Sequence, residues 1–439
     1  MSSIDTTVIL LRPRPYAKSS GTLLLLPLLP HRKPLKSLPS EIWTEIFGFA
    51  FKSCATGYES ARFIYRWAWS SITICKAFSE IVLPLLYSSV QISQDYTLVR
   101  FYNRLHIADQ KWDSIRRIPY SSPGRWVQKL DLSELVFEGQ PQALSLDSHL
   151  TQLFPLVPFL TSLSVNPSFV LSRRALYSLA QREGSVNLRS ISGLSYLPPP
   201  TPIPDEDPFV QLLRNSPNLE TFVVVGQGLD PTELEFNFPG LSYEMPSISE
   251  FRPLRLTKLR TLTILSLHSS PLVLALLHSP LPGLKKLTVT PYDDIPYPAS
   301  LISEFIKIHG AGLSSLLLFT PKSWPTRLHP SPSGILVHCP NLNHLSLESP
   351  LPSLTLTERH QLRILSIPRP KADFWRELET LFHRLPGLAI LRIRDIRWLR
   401  KGVSTMAQGA GVQGEMLEWK RRLERRRILL VDADWRDQA

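Results

Sequence analysis

The sequence predicts an α/β protein in which a small helical segment precedes a repeat array. Short parallel strands are expected on one face of the array, with helices and loops on the other. Two patterns support this prediction: two apolar blocks with helical spacing lie within residues 38–90, and a strand-like unit recurs from residue 126 onward. The 40 prolines, about twice the average usage, favour frequent turns over long helices.

The recurring unit has the form apolar-x-x-apolar-x-apolar and occurs ten times, for example as VQKLDL from residue 127 and LKKLTV from residue 284. Successive copies lie 20 to 40 residues apart, which is near the spacing of repeat solenoids. The middle apolar positions are Leu130, Leu163, Ile191, Phe222, Leu262, Leu287, Leu316, Leu345, Leu365 and Leu391.

The spacing within each unit predicts a strand, because its last two apolar residues face one side and the residues between them face outward. Such short strands are not stable alone, so neighbouring copies must stack in parallel and share a core. Several copies follow a Pro or Gly turn, such as HSPLPG before Leu284. Helical segments are predicted before these turns, at 209–214, 272–278, 299–309 and 374–384, and a further one at 96–107.

The N-terminal apolar blocks read LPSEIWTEIFGFAF from residue 38 and CKAFSEIVLPLLYSSV from residue 75. Ser40 and Glu41 favour a helix start. The apolar stripe that follows, from Ile42 to Ala50, is too wide for one helix to bury alone. The second block repeats this helical spacing, with Pro84 able to distort or end the helix.

This pair of motifs resembles the F-box, the small three-helix module of ubiquitin-ligase substrate receptors, in the form common among fungal F-box proteins. The resemblance covers about 53 of 439 residues, and the segment 52–66 is longer and more polar than the usual inter-helix loop. It implies docking of a Skp-type adaptor. The residues that match the adaptor-binding face are Leu38, Pro39, Ile42, Ile46 and Phe47. The core of the module is assigned to Trp67, Trp69, Ile72 and Phe78.

The helix–turn–strand unit resembles the irregular leucine-rich repeats found behind F-boxes, although the asparagine position of regular repeats is mostly absent. The resemblance implies a leucine-rich-repeat solenoid. Two alternatives stay open at this point: a chance pattern in leucine-rich sequence, and strands that belong to a globular α/β domain instead of one array.

The predicted organisation has five parts. These are a flexible basic leader at 1–36, an F-box at 37–92, a connecting segment at 93–125, a leucine-rich-repeat array at 126–400 and a C-terminal helix and strand cap at 401–439. Within the cap, residues 415–427 form a basic amphipathic helix with Met416, Trp419 and Leu423 on one face. Membrane or nucleic-acid contact is the alternative role for this helix.

Proline-rich insertions interrupt the repeats at 197–208, 230–253, 291–298 and 320–332. Insertions in repeat arrays map to one face and often bind partners, but long surface loops are also tolerated without a role.

Composition limits the partners and the compartment. The net charge of +12 is spread along the chain without a block of like charges, so nucleic-acid binding is disfavoured. Three cysteines are too few and too scattered for a disulfide framework or a zinc site, and a cytoplasmic or nuclear location fits best.

No apolar run reaches the ~20 residues of a membrane span. The stretch 23–30 is interrupted by Pro27 and is read as leader, with a secretory signal as the alternative.

No catalytic, cofactor or metal motif is recognisable, so the protein is expected to be neither an enzyme nor a cofactor carrier. His329, His338 and His344 share no metal spacing, and Asp293–Asp294 and Asp205–Asp207 are read as turn residues. The resemblances imply a substrate-recognition subunit of a cullin-RING (SCF-type) ubiquitin ligase, bound through a Skp-type adaptor to a cullin and holding an unknown target protein on its repeats. The alternative is a non-catalytic repeat scaffold without a ligase role.

Overall fold

The structure is a computed structural model of the 439-residue chain. The residues that it describes are 10–11, 23–24, 38–53, 69–111, 122–199, 203–226, 251–267, 269–291, 300–321, 334–352, 354–369, 372–398 and 411–437. The chain divides into two compact units, Met1–Leu85 (unit 1) and Leu86–Ala439 (unit 2), and each is described by itself.

Unit 1 is built around helix α1, Ser40–Ser53, and helix α2, Lys76–Ser88, inside which the division between the units falls. Helix α2 continues through Pro84, so this proline does not end the helix. Upstream, strands β1 (Leu10–Leu11) and β2 (Leu23–Leu24) pair antiparallel. The rest of the predicted leader, and most of the segment 52–66, lie outside the described residues.

The prediction of core residues in unit 1 is confirmed for Phe78 and wrong for Trp69. Phe78 of α2 contacts the rings of Trp43 and Phe47 on α1, with centroid separations of 4.9 and 5.2 Å. Trp69, in contrast, is 62% exposed and contributes little to this core. Trp67 lies outside the described residues.

Unit 2 contains one parallel sheet, in which twelve strands of the described chain pair in the order of the sequence. The strands are β3 (Ser89–Gln91), β4 (Lys129–Leu132), β5 (Ser162–Val165), β6 (Ser190–Ser195), β7 (Thr221–Val225), β8 (Thr261–Leu265), β9 (Lys286–Val289), β10 (Ser315–Leu318), β11 (His344–Ser346), β12 (Ile364–Ile367), β13 (Ile390–Ile393) and β14 (Leu429–Val431).

The strands are aligned along one row of inward residues, and the pairing of β6 with β7 contains a register shift between Ile191 and Leu194. Each of the ten middle apolar residues predicted from the sequence is the direct partner of the next, from Leu130 opposite Leu163 to Leu365 opposite Leu391. Val90 extends this row at one end and Leu430 at the other. The ten predicted positions are all buried. The prediction of a single stack of parallel strands is therefore confirmed, and the alternative of strands scattered through a globular domain is wrong.

The connections between strands carry the helices, as parallel pairing requires. The helices of unit 2 are α3 (Asp95–Gln110), α4 (Pro123–Trp126), α5 (Gly139–Leu153), α6 (Arg173–Gln181), α7 (Pro208–Arg214), α8 (Pro271–Leu277), α9 (Ile302–His309), α10 (Ile335–His338), α11 (Ala372–Leu381) and α12 (Gly411–Glu424). Consecutive helices pack side by side, α3 on α5, α5 on α6 and α6 on α7. Their buried leucines, such as Leu150 and Leu179, join the strand leucines in one continuous core.

The same turn leads into several strands. In each case the leucine N–H donates to the carbonyl three residues earlier, at 3.0 to 3.3 Å, as in Leu219 to Ser216 and Leu284 to Leu281. Two asparagines beside such leucines brace neighbouring repeats. The amide of Asn218 donates to the Val186 carbonyl and that of Asn341 to the Ala311 carbonyl, both at 2.9 Å.

Helices α5 and α6 and strand β3 were not predicted. The turns that mark the predicted helices do not follow these two helices, and the sequence of β3, Ser-Val-Gln, has a single apolar residue. Strand β3 therefore begins the sheet inside the segment 37–92, and helix α3 occupies much of the predicted connecting segment 93–125.

The C-terminal helix α12 has the predicted amphipathic character. Met416 and Leu423 are fully buried, and the Trp419 ring stacks on Trp375 of α11 at 5.8 Å. Its apolar face therefore packs into unit 2. Among the described helices, none is both long and apolar enough to cross a membrane. The insertions at 230–253, 291–298 and 320–332 lie almost entirely outside the described residues.

The shared register predicts where the sheet is most sensitive. Leu287 lies between Leu262 and Leu316 and is fully buried, so Leu287→Ala should lower the free energy of unfolding by about 2–5 kcal/mol. Thr288→Ala, one residue away and half-exposed, is the matched control and should change it by less than about 1 kcal/mol. Urea unfolding followed by far-UV circular dichroism measures both. Equal losses in the two variants would contradict the inward assignment of Leu287.

Candidate partner-binding surfaces

Helix α1 presents one apolar face to solvent. Ile42, Ile46 and Phe49 are 43, 42 and 70% exposed. Their spacing of four and three residues places them on the same side of the helix. Leu38 and Pro39, just before the helix, are also exposed. We call Leu38, Ile42, Ile46 and Phe49 the α1 apolar face.

Phe47, which the sequence predicts on the adaptor-binding surface, does not belong to this exposed face. Its side chain is only 5% exposed, because its ring packs on Trp43 at 5.9 Å and on Phe78 at 5.2 Å. The wide apolar stripe of α1 therefore has two sides with separate environments. One side forms the aromatic core of unit 1, and the other, which includes Phe49, faces solvent.

The outward face of the sheet in unit 2 carries many hydroxyl groups, together with apolar residues such as Val223, Val225 and Leu265. The half-buried outward hydroxyl residues of β5 to β9 are Ser162, Ser164, Ser190, Ser192, Thr221, Thr261, Thr263 and Thr288. One hydroxyl pair is hydrogen-bonded across strands, Ser192 donating to Ser164 at 2.9 Å. Within the described residues, no group of His, Cys, Asp and Glu side chains could hold a metal ion.

The residues after β14 fold over the outward face at the C-terminal end of the sheet. The buried Asp432 carboxylate accepts hydrogen bonds from the backbone N–H groups of Trp398, Asp434 and Arg436, at 2.8 to 3.1 Å. This holds the Trp435 ring 4.5 Å from the Arg392 guanidinium carbon, in a cation–π contact.

His344 lies beside this indole, with a ring separation of 6.0 Å, and its Nε2 is 2.9 Å from the Ser366 hydroxyl oxygen. Burial lowers the pKa of His344, and the nearby charges of Arg392 and Lys286 lower the pKa further. His338 lies on α10, away from this pair, and His329 is outside the described residues.

A second arginine ties the carboxyl ends of several strands together. Arg394 follows β13 and donates to the Leu347 carbonyl at 2.6 Å and to the Glu348 carboxylate. Burial raises the pKa of Glu348, and the bond and charge of Arg394 partly offset this rise.

Arg182 has a similar role at the amino ends of the strands. Its guanidinium is buried and donates to the carbonyls of Val157 and Leu160, at 2.7 and 2.8 Å. Burial lowers the pKa of Arg182 to about 10. A cation buried in this way keeps its charge at neutral pH and joins the loops of neighbouring repeats.

Asp207 is a structural residue that the sequence reading took for part of a turn. It is fully buried, caps helix α7 by accepting from the Phe209 N–H at 2.7 Å, and accepts from the Tyr196 hydroxyl at 2.7 Å. Burial raises the pKa of Asp207, and these two hydrogen bonds oppose the rise. Burial and the neighbouring carboxylate also raise the pKa of Tyr196.

Two further histidines join consecutive repeats inside the array. The His309 ring packs on Phe305 at 4.6 Å, and its Nε2 lies 3.3 Å from the Leu277 carbonyl of the preceding repeat. Burial lowers the pKa of His309. His360 is buried, accepts at Nδ1 from the Leu362 N–H and therefore donates from Nε2 to the Cys339 carbonyl at 2.9 Å.

The chain is thus an α/β protein in which a small helical unit is followed along the sequence by a solenoid of the leucine-rich-repeat kind. No protein-family profile and no curated protein matches it. Among solved structures it is similar to a chain of the crystal structure of the Rad7 and Elc1 complex in yeast. That match has 14% identity and a TM-score of 0.23, and it covers 84% of this chain and 96% of that chain.

The buried carboxylate predicts a selective loss of stability. Asp207→Ala leaves the Tyr196 hydroxyl and the Phe209 N–H without their acceptor, which should cost about 1–3 kcal/mol for each donor. Asp207→Asn keeps an acceptor oxygen and should lose less. Asp205→Ala, two residues away and partly exposed in an ion pair with Arg214, should cost about 1 kcal/mol or less. Thermal or urea unfolding of the three variants tests the order, and a loss in Asp205→Ala equal to that in Asp207→Ala would contradict it.

The lowered pKa of His309 predicts a pH dependence. The unfolded chain, with the ordinary histidine pKa of 6.5, takes up a proton before the folded chain does. The stabilising contribution of neutral His309 is therefore complete above about pH 6.5 and is lost as the pH falls. His309→Gln has no ring to protonate, so its unfolding free energy should fall less than that of the wild type between pH 7.5 and pH 5. Urea unfolding at several pH values compares the two slopes, and identical slopes would refute the assignment.

Proposed function

We propose that this protein is the substrate-recognition subunit of a cullin-RING (SCF-type) ubiquitin ligase. Unit 1 acts as an F-box that binds a Skp-type adaptor, and through it a cullin, while the repeat array of unit 2 holds a target protein. The observation that carries the proposal is the α1 apolar face, which lies within the sequence that resembles an F-box.

The exposure of this face argues for a partner. The aromatic core of unit 1 uses Trp43 and Phe47 on the other side of the helix, so Ile42, Ile46 and Phe49 are not needed to complete that core. Exposing large apolar side chains on one helix face is unfavourable in water, and such patches mark interaction sites. The adaptor surface proposed here is Leu38, Pro39, Ile42, Ile46 and Phe49.

The array contributes proximity in this proposal. Its twelve strands, spaced about 4.8 Å apart, give a surface roughly 53 Å long, which is sufficient to hold a protein target. Holding target lysines near a ligase-bound conjugating enzyme raises their effective concentration, and the bond chemistry is left to that enzyme.

Adaptor binding is tested by charge substitution on the α1 apolar face. Leu38→Asp combined with Ile42→Asp should weaken binding of the full chain to a purified Skp-type adaptor by at least about 100-fold, because two apolar contact residues are lost and two carboxylates must be desolvated. Phe49→Asp should also weaken it. The control is Thr44→Asp, which adds one carboxylate, as Phe49→Asp does, but on the opposite side of α1. It is expected to bind like the wild type. Biolayer interferometry with the adaptor immobilised measures all four proteins.

Two results would count against the proposal. One is an absence of adaptor binding by the wild type, and the other is equal binding by the double variant and the Thr44→Asp control. The scaffold alternative makes a different prediction, since it allows adaptor binding but no protein whose half-life lengthens when the gene is deleted. Proteome-wide turnover measurements with the wild type and the double variant separate the two functions.

A further inference from the structure

One part of unit 2 carries cations without carboxylates. The segment 251–291, which includes strands β8 and β9 and helix α8, contains six basic residues and no acidic residue. Protein surfaces normally intersperse the two signs, so this composition is unusual for a stretch that spans more than one repeat. The six residues are Arg252, Arg255, Lys258, Arg260, Lys285 and Lys286.

Backbone contacts bring four of these cations together at the amino ends of β8 and β9. The N–H groups of Lys285 and Lys286 both donate to the Arg260 carbonyl at 2.9 Å, which places the three residues side by side. Lys258 also lies near these residues, because the backbone at Gly283 approaches the residue before it. A Cβ at Gly283 would lie 2.7 Å from the Thr257 carbonyl oxygen. The turn at 257–258 therefore packs directly against the turn before Lys285. We call Lys258, Arg260, Lys285 and Lys286 the basic edge.

The basic edge has little charge compensation within the described residues. All four side chains are in exposed residues, and none of them forms an ion pair there. The Lys285 ammonium makes a 3.4 Å contact with the Gly312 carbonyl. Glu220, whose backbone carbonyl accepts from the Arg260 N–H, has its carboxylate 3.9 Å from Arg189 instead. Clustered cations with this exposure attract an anionic partner.

We infer that the basic edge binds an acidic segment, rich in Asp and Glu, of a partner protein. The positive charge of the basic edge favours an anionic ligand. The residues around the edge favour a protein over a membrane or a nucleic acid. Large apolar side chains are not exposed among the described residues of 251–291, so the apolar anchor of a membrane-bound surface is missing. The same residues offer no exposed Phe, Tyr or Trp ring on which a nucleic-acid base could stack.

The neighbouring surface fits this partner. Thr261 and Thr288 are half-buried outward positions beside the cations and offer hydroxyl donors to carboxylates. A peptide lying along the amino ends of the strands would meet Arg260 and Lys285 on neighbouring repeats, about 4.8 Å apart. Recognition of a ligase target by this edge rests on the proposed function, but binding of an acidic segment rests on unit 2 alone and can be measured without an adaptor.

The test uses the full chain and a fluorescein-labelled 14-residue peptide of alternating Glu and Ser, with fluorescence anisotropy at 50 and 200 mM NaCl. The variant Arg260→Gln/Lys285→Gln/Lys286→Gln should bind at least tenfold more weakly than the wild type at 50 mM NaCl. The control Arg100→Gln/Arg104→Gln/Arg174→Gln removes three exposed cations from helices α3 and α6. It carries the same change in net charge and should bind within about twofold of the wild type. Circular dichroism of both variants checks that the fold is retained.

Three outcomes would overturn the inference. The first is an equal loss in the two triple variants, which would show attraction by net charge alone. The second is equal binding of a peptide with Gln in place of Glu. The third is tighter binding of a 20-base-pair DNA duplex than of the Glu peptide, with the duplex affinity lost in the edge variant, which would assign the edge to nucleic acid. A failure of adaptor binding with normal peptide binding would reject the proposed ligase role and leave this inference standing.

Discussion

Parallel pairing in one register is the constraint on which the rest of unit 2 depends. Each strand contributes only three to six residues, and its neighbours satisfy its backbone groups while its inward leucines pack on theirs. A shift of one residue would turn the inward side chains outward, since strand side chains alternate. The aligned row from Val90 to Leu430 therefore fixes the position of every repeat. Variation in the length of the repeats is absorbed by the connections, whose helices range from the single turn α10 to the 16-residue helix α3.

Polar side chains, two of them buried, reinforce this constraint between repeats. Asn218, Asn341, Arg182 and His360 each reach a backbone carbonyl that belongs to an adjacent loop. A carbonyl shielded from water needs such a donor. The leucine core supplies most of the apolar burial, and these bonds specify how one loop meets the next. They differ in residue type from repeat to repeat, so they leave no periodic signal in the sequence.

The sequence was informative wherever one residue type repeats at a fixed spacing. The ten inward positions were identified because leucine and its substitutes recur with strand spacing, and helices α7, α8, α9 and α11 because they precede recognisable turns. The division of the α1 stripe could not be predicted. Phe47 and Phe49 are both phenylalanines on a wide apolar arc, and only the position of Phe78 on α2 decides which one is covered. Asp207 was misread for a related reason, since its partner Tyr196 lies in the segment that follows the preceding strand.

The ends of the sheet have a consequence for how the molecule behaves at high concentration. Strands β3 and β14, which terminate the row, are each three residues long, so each offers only a short template of unpaired N–H and C=O groups. The arginines at 425–427 immediately before β14 add mutual repulsion between copies of that edge. A long parallel stack of apolar strands would otherwise be prone to pair end to end with other copies and form fibrils. Here both terminal strands are short, and one of them lies next to charged residues.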